Sequence, residues 1–228
     1  MSDATGKRPG VPFWDERYSG EGFAYGTQPN RWLVLQAGVI RPGGRVLSLG
    51  EGEGRNAVWL AERGFSVDAV DGSPVGLDKA TRLAAQRGVA IKTQVDDLAT
   101  YRPAPASYDA LVLVYVHLPV SVRAAVHAAG VAALKPGGIV IIEAFTPRQL
   151  GRPSGGPRQA EMLYDASLLR ADFPGVEWAE LEEAEIELEE GPFHRGAAAV
   201  VRGVGRTTPP PAPPSRSDST AASGTPPG

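Results

Sequence analysis

Apolar residues in this chain gather into short runs, and the stretches between them carry helical spacing. Val46, Leu47 and Leu49 form the first run, which ends in Gly50-Glu51-Gly52-Glu53-Gly54. Ala57, Val58, Leu60 and Ala61 then predict a helix stopped at Gly64. Phe65, Val67, Ala69 and Val70 predict a buried strand ending at Asp71, and Pro74 opens a helix over 75–87 with Leu77, Ala80, Leu83 and Ala84 on one face. Residues 89–95 alternate like a third strand, and the run at 110–116 reads as a fully buried one. A helix over 120–134, a turn at 135–138 and a strand at 139–145 complete the series. Strands alternating with helices predict an α/β fold, a doubly wound and mostly parallel sheet with right-handed crossovers.

The rhythm then changes. Residues 146–157 form a loop rich in Gly, Pro and Arg, and 162–173 read as a short helix. Over 177–190, Ala184, Ile186 and Leu188 alternate with Glu183, Glu185, Glu187 and Glu189, a solvated strand face rather than a metal site. Gly191-Pro192 turns the chain and 193–204 return as a strand, so the sheet ends in an antiparallel hairpin. Residues 205–228 hold seven of the 21 prolines and no large apolar side chain, which predicts a disordered tail. Residues 1–10 read as a flexible N-terminus, leaving one domain over 11–204. Its first part, 11–38, carries Phe13, Trp14, Tyr18, Phe23, Tyr25 and Trp32 among glycines. These suit either a helical arm packed on the core or a lid over a ligand, and Asn30 suits the cap of a helix over 31–37.

Composition narrows the classes. The chain has 228 residues, 42% hydrophobic and 21% charged, ordinary for one soluble globular domain. A net charge of −3 gives no basic excess for nucleic acid. Cysteine is absent, which removes disulfides, thiolate metal sites and a cysteine nucleophile. No apolar signal region or membrane-length run stands out, so a cytoplasmic protein with no membrane partner is expected, monomeric or homodimeric. No His, Asp and Glu cluster has metal-ligand spacing, and no metal is expected.

A strand that turns through glycines into a helix start is a place for a small ligand. A dinucleotide asks for G-x-G-x-x-G, but here Arg55 stands where the third glycine belongs, and no Gly-Lys-Ser or Gly-Lys-Thr follows for a phosphate loop. Asp71, ending the second strand, suits ribose hydroxyls. Glu51 and Glu53 would repel a pyrophosphate and suit a cofactor carrying positive charge. S-adenosylmethionine meets these demands: it has an ammonium, a sulfonium and a ribose, and its carboxylate could use the N–H groups at the helix start.

Five segments in order, VLSLGEGEG, VDAVDGS, VDDL, YDALVLVYVHL and LKPGGIVIIEAF, resemble the motifs of class I S-adenosylmethionine-dependent methyltransferases. The resemblance covers residues 13–204 and implies their Rossmann-like, seven-stranded sheet and small-molecule methyl transfer. It implies that Gly50, Gly52 and Gly54 line the methionine part with Glu51 near the ammonium, and that Asn56 marks the loop's exit. Asp71 would take the ribose hydroxyls, Gly72 and Ser73 would lie beside the adenine, and Asp97 and Leu98 would meet its edge. Val114 and Tyr115 would border the reacting centre, with Trp14, Tyr18 and Tyr25 closing over the cofactor. Ser48 and Glu51 stand where the family usually has Asp and Cys.

Together with FWDERY and AYGTQPN, the glycine loop is similar to the tellurite-resistance and thiopurine-type enzymes, which implies a soft acceptor, a thiol or a chalcogen oxyanion. His117 is the best placed general base or else a structural cap; His194 reads as structural or substrate-lining, and His127 as surface. Arg148, Arg152 and Arg158 could meet an anionic substrate but read better as a solvated loop. Two other classes stay open: a nucleotide-dependent oxidoreductase, disfavoured by the missing glycine, and a non-catalytic binding module.

Overall fold

The computed structural model describes residues 11–208. The chain runs α1 (Val11–Tyr18), α2 (Arg31–Gln36), β1 (Arg45–Leu49), α3 (Arg55–Glu62), β2 (Ser66–Asp71), α4 (Pro74–Gln86), β3 (Lys92–Val95), β4 (Tyr108–Val114), α5 (Val120–Ala132), β5 (Leu134–Phe145), α6 (Ala166–Asp172), β6 (Val176–Glu189) and β7 (Arg195–Thr207). The seven strands form one sheet in the order β3-β2-β1-β4-β5-β7-β6. The first five pair in parallel, and β7 runs antiparallel between β5 and β6. The order reverses between β1 and β4, the place where open α/β sheets leave a crevice at the strand ends.

Strand periodicity builds two cores from one sheet. Leu47, Leu49, Leu111, Leu113, Val140 and Ile142 face one way, toward Val126, Leu169 and Phe173. Val46, Ala110, Val112, Ile139 and Ile141 face the other, toward Leu33, Ala57 and Leu60. Every residue of β4 is buried, as its continuous apolar run requires. Three helices are capped by the side chain of the residue just before them: Asn30, Ser73 and Asp165 accept the N–H of Leu33, Gly76 and Leu168. Each cap is worth about 1 kcal/mol.

Several boundaries move. The expected 110–116 strand stops at Val114, because Tyr115 takes a left-handed backbone with φ of 55°. The expected 135–138 turn lies inside β5, which pairs Leu134 with Tyr108 and, past an irregularity, Ile139 with Ala110. The 162–173 helix divides into a single turn at Ala160–Met162 and α6. β7 continues to Thr207, pairing it with Val176, so residues 205–207 belong to the sheet and not to a tail. Gly205 lies where a Cβ would meet Val176 at 2.6 Å, so the missing side chain is what lets β6 pack there. The remaining tail residues, 209–228, and residues 1–10 lie outside the described ones. His127 is buried, donating from Nδ1 to Asp172 at 2.9 Å where α5 packs on α6. The surface expectation fails because α5 turns that face inward.

Candidate functional site

A cavity of about 550 Å³ opens at the C-terminal ends of β1, β2, β4 and β5. At its floor the glycine loop makes close contacts that side chains would block. A Cβ at Gly54 would meet Ala80 at 2.6 Å and one at Gly52 would meet the Tyr18 hydroxyl at 2.7 Å, so both glycines serve packing, and only Gly50 of the three borders the cavity. Glu51 reaches forward and caps α3: its Oε1 accepts from the N–H of Asn56 at 3.2 Å and Ala57 at 2.9 Å, while Ser48 donates to its Oε2. The N–H groups expected for a ligand carboxylate are therefore occupied by the protein's own. Burial raises the Glu51 pKa, opposed by the Ser48 and Ala57 hydrogen bonds.

Glu53 does not offer its charge to a ligand either. It pairs with Lys79 at 2.6 Å and accepts from the Ala24 N–H at 2.7 Å. Lys79, 4% exposed, also donates to the carbonyls of Tyr18, Gly20 and Gly22, which ties the N-terminal arm to α4. Asp15 on α1 accepts from Ser73 Oγ at 2.5 Å; Ser73 is spent on this contact and its cap, and does not border the cavity. Trp14 stacks on Tyr18 at 5.7 Å, and Tyr18 meets Tyr25 edge-on at 6.4 Å. The arm thus roofs the cavity. At its far end Gly26 touches Gly191 of the β6–β7 turn, and the Arg17 guanidinium lies 3.9 Å from the Phe193 ring centre.

Asp71 borders the cavity with both oxygens fixed, accepting from the N–H of Gly52 and Ser73 at 2.8 Å each. Burial raises its pKa against those two hydrogen bonds. Gly72, Asp97, Leu98, Asn56, Val114, Tyr115, Trp14 and Tyr25 also line the cavity. Asp97 Oδ1 accepts from the Ala99 N–H at 2.9 Å, and Asn56 Oδ1 accepts from the Asn30 N–H at 2.9 Å.

His117 is on the wall but cannot act as a base. Its Nδ1 lies 2.7 Å from the Met162 carbonyl, which can only accept, so Nδ1 carries the proton. Its Nε2 accepts from the Phe145 N–H at 3.1 Å, so no lone pair is left. Burial lowers its pKa to about 4, and the ring stays neutral. Arg148 and Arg152 pair with the glutamates of β6, Arg158 is exposed, and none of the three reaches the cavity.

One cluster escaped the sequence reading. Glu190, included there in the solvated glutamate face, is buried and pairs with Arg55 at 2.9 Å. Its other oxygen accepts from Asn30, whose amide also donates to the buried Glu143, and Tyr115 donates to Glu143 at 2.7 Å. A signal was present: Glu190 keeps the parity of Ala184, Ile186 and Leu188, the inward face.

The donor set tests which ligand fits. A pyrophosphate would meet a capped helix start and the two carboxylates of Glu51 and Asp71, whereas a cationic, phosphate-free nucleoside derivative meets acceptors where it needs them. The comparisons agree. A family model described as a methyltransferase domain matches residues 46–138. The chain is 27% identical over 133 residues to a 2-heptyl-1-hydroxyquinolin-4(1H)-one methyltransferase of Mycobacteroides abscessus, a match that takes in 57% of this chain and 58% of the relative. Residues 46–138 are thus similar to a methyltransferase domain, and the chain spans a little over half the length of the curated relative that it matches.

Solved structures share the fold. One, from work on conversion of a disulfide bond into a thioacetal group during echinomycin biosynthesis, has a TM-score of 0.69 at 21% identity over 87% of this chain and 92% of that one. TehB from Haemophilus influenzae has a TM-score of 0.65 at 19% identity, over 87% of this chain and 67% of that one. The cavity has a second compartment beside the nucleotide end. Beyond Tyr115 the cavity wall is formed by Phe145, Met162, Phe193, His194 and Tyr25. Tyr115 stacks on Phe145 at 4.6 Å, its left-handed backbone aiming the ring along the end of β5.

Proposed function

We propose that the chain is a methyltransferase that moves a methyl group from S-adenosylmethionine to a small apolar acceptor bearing a soft nucleophile, a thiol rather than a chalcogen oxyanion. The aromatic second compartment carries this reading. Its nearby cations are already engaged, Arg55 by Glu190 and Arg17 over the rings of Phe13 and Phe193. An oxyanion would have to give up hydration without gaining an ion pair, whereas a thiol on an apolar body loses little on entering. The hydroxyquinolinone of the Mycobacteroides relative, apolar and planar, supports a second reading with a heteroaromatic hydroxyl as acceptor.

Asp71 would hold the ribose hydroxyls, and Asp97 and Leu98 the adenine edge. Glu51 would face the ammonium beside Gly50, and Val114 and Tyr115 would border the methyl. The position of Asp71, fixed by two backbone N–H groups at the end of β2, supports the ribose assignment. When bound, the cofactor supplies a methyl carbon on a sulfonium, open to in-line displacement. The chain's own part is to align the acceptor, exclude water under the aromatic roof and present carboxylates to positive charge.

The test is formation of S-adenosylhomocysteine with aryl and alkyl thiols, a 1-hydroxyquinolinone, tellurite and selenite. Apolar thiols are expected to give the highest kcat/KM. Preference for tellurite overturns the acceptor class. Calorimetric binding of S-adenosylhomocysteine with turnover of no acceptor would leave a binding module, and tight NADH binding in its place would restore the oxidoreductase.

A further inference from the structure

His194 follows the β6–β7 turn and sits among rings, with centres 4.4 Å from Tyr25, 4.6 Å from Tyr115 and 5.3 Å from Phe145. Its Nδ1 lies 3.3 Å from Glu190 Oε2. An ionised carboxylate only accepts, so Nδ1 carries the proton of the neutral ring and Nε2 keeps its lone pair. Among the described residues the ring's hydrogen bond is the one from Nδ1, none reaches Nε2, and the side chain borders the cavity. The other two histidines have no such nitrogen: both of His117 are spent on backbone groups, and Nε2 of His127 is sealed in the α5–α6 contact.

Glu190 is itself fixed in place. Burial would raise its pKa, yet Arg55 and His194 bring it down to about 2, so it is ionised across the working range. Arg55 Nη2 at 2.9 Å and Asn30 Nδ2 at 3.1 Å fix its two oxygens. The charged and titratable groups facing His194 come from every element around it. They are Glu190 on the hairpin, Arg55 on α3, Arg17 on α1, Tyr25 on the roof, Tyr115 and His117 after β4, and Glu143 on β5 behind Tyr115. Burial and the two arginines lower the His194 pKa, while Glu190 raises it, and the ring is neutral at neutral pH.

We propose that His194 is the general base for the acceptor, with Glu190 as its positioning residue; this rests on the methyl-transfer reading above. Nε2 takes the thiol or hydroxyl proton. The acceptor's electron pair forms the bond to the methyl carbon as that carbon's bond to the sulfonium sulfur breaks, its pair staying on sulfur. The imidazolium then returns the proton to solvent, and the cycle balances without another reagent.

The experiment compares the wild type, His194→Gln and Glu190→Gln by kcat/KM against pH, with an apolar thiol acceptor. General bases contribute about 10²–10⁴-fold. At pH 7 His194→Gln is expected to lose about a hundredfold, with S-adenosylhomocysteine affinity within threefold of wild type. Above the acceptor's own pKa the thiolate forms unaided, and the deficit should shrink below about tenfold. Glu190→Gln should move the acidic limb of the profile more than it moves the acceptor KM. Nitrogen-15 NMR of the wild type with S-adenosylhomocysteine should find the Nδ1–H tautomer, a readout independent of turnover and of how the variants fold. A deficit that stays constant with pH, no deficit at all, or an Nε2–H tautomer overturns the base assignment while leaving methyl transfer standing. A wild type that binds S-adenosylhomocysteine but methylates no protic acceptor overturns the methyl-transfer reading and the base with it.

Discussion

Replacing Lys79 by Met tests whether the roof is held by one buried ammonium. Lys79 donates to three arm carbonyls, at 2.9, 2.8 and 2.5 Å, and to Glu53 at 2.6 Å. Methionine keeps the length of the stem and removes the charge. Glu53 is then a buried carboxylate with the Ala24 N–H as its remaining partner, and breaking one side of such a pair costs roughly 3–5 kcal/mol. That cost has a ceiling, because the arm can come away and let water reach Glu53 before the sheet unfolds. The expected result is a global loss of about 3 kcal/mol by urea titration, together with new proteolysis near Gly20 and Gly22 and weaker S-adenosylhomocysteine binding. Lys79→Met with Glu53→Gln removes the stranded charge and should recover about half of the loss, a coupling that only contacting residues show. A single variant within about 0.5 kcal/mol of wild type, the range of a plain surface substitution, refutes the reasoning. So does a double variant less stable than the single one.

Two further outcomes follow from the site. Asp71→Ala should weaken S-adenosylhomocysteine binding ten- to a hundredfold by calorimetry with the circular dichroism unchanged, since charged hydrogen bonds are worth about 1.5–3 kcal/mol; unchanged affinity removes the ribose assignment. His117, with its pKa lowered to about 4 in the fold, binds fewer protons there than in the unfolded chain between that pH and about 6.5. Its contribution is therefore complete above pH 6.5 and lost as pH falls toward 4, on the order of 3 kcal/mol. The urea midpoint of the wild type should fall over that window and that of His117→Gln should fall less, and an NMR titration that places His117 near pH 6.5 would contradict the two backbone hydrogen bonds.

Strand parity and glycine punctuation made the sheet legible, because a strand buried on both faces leaves a continuous apolar run and its helices leave a period. The carboxylate at Asp71 was legible for the same reason, since it ends a strand in a fixed relation to the loop. What stayed hidden depended on partners distant in sequence. Glu51 and Glu53 read as a pair of charges awaiting a cation, but one caps its own helix and the other answers Lys79 from the next helix. His117 looked like a base by position alone, and only Met162 and Phe145, far along the chain, reveal that its nitrogens are taken. Glu190 was hidden by its neighbours: four exposed glutamates before it made an inward one look like a fifth. Residues 205–207 were given to the tail because composition registers side chains, whereas a sheet edge is held by backbone pairing.

The roof has a kinetic consequence. It crosses from Ser73, at the nucleotide end, to Gly191, at the hairpin end, as one continuous piece of chain. On the proposed reaction a cycle has two products to unload, and one strap of chain would cover both compartments. Departure of the spent donor and of the methylated product would then share a single clock, set by how often the strap lifts. In that case Lys79 and the Gly26–Gly191 contact, neither of which touches a reacting atom, govern the turnover number as surely as the residues beneath them.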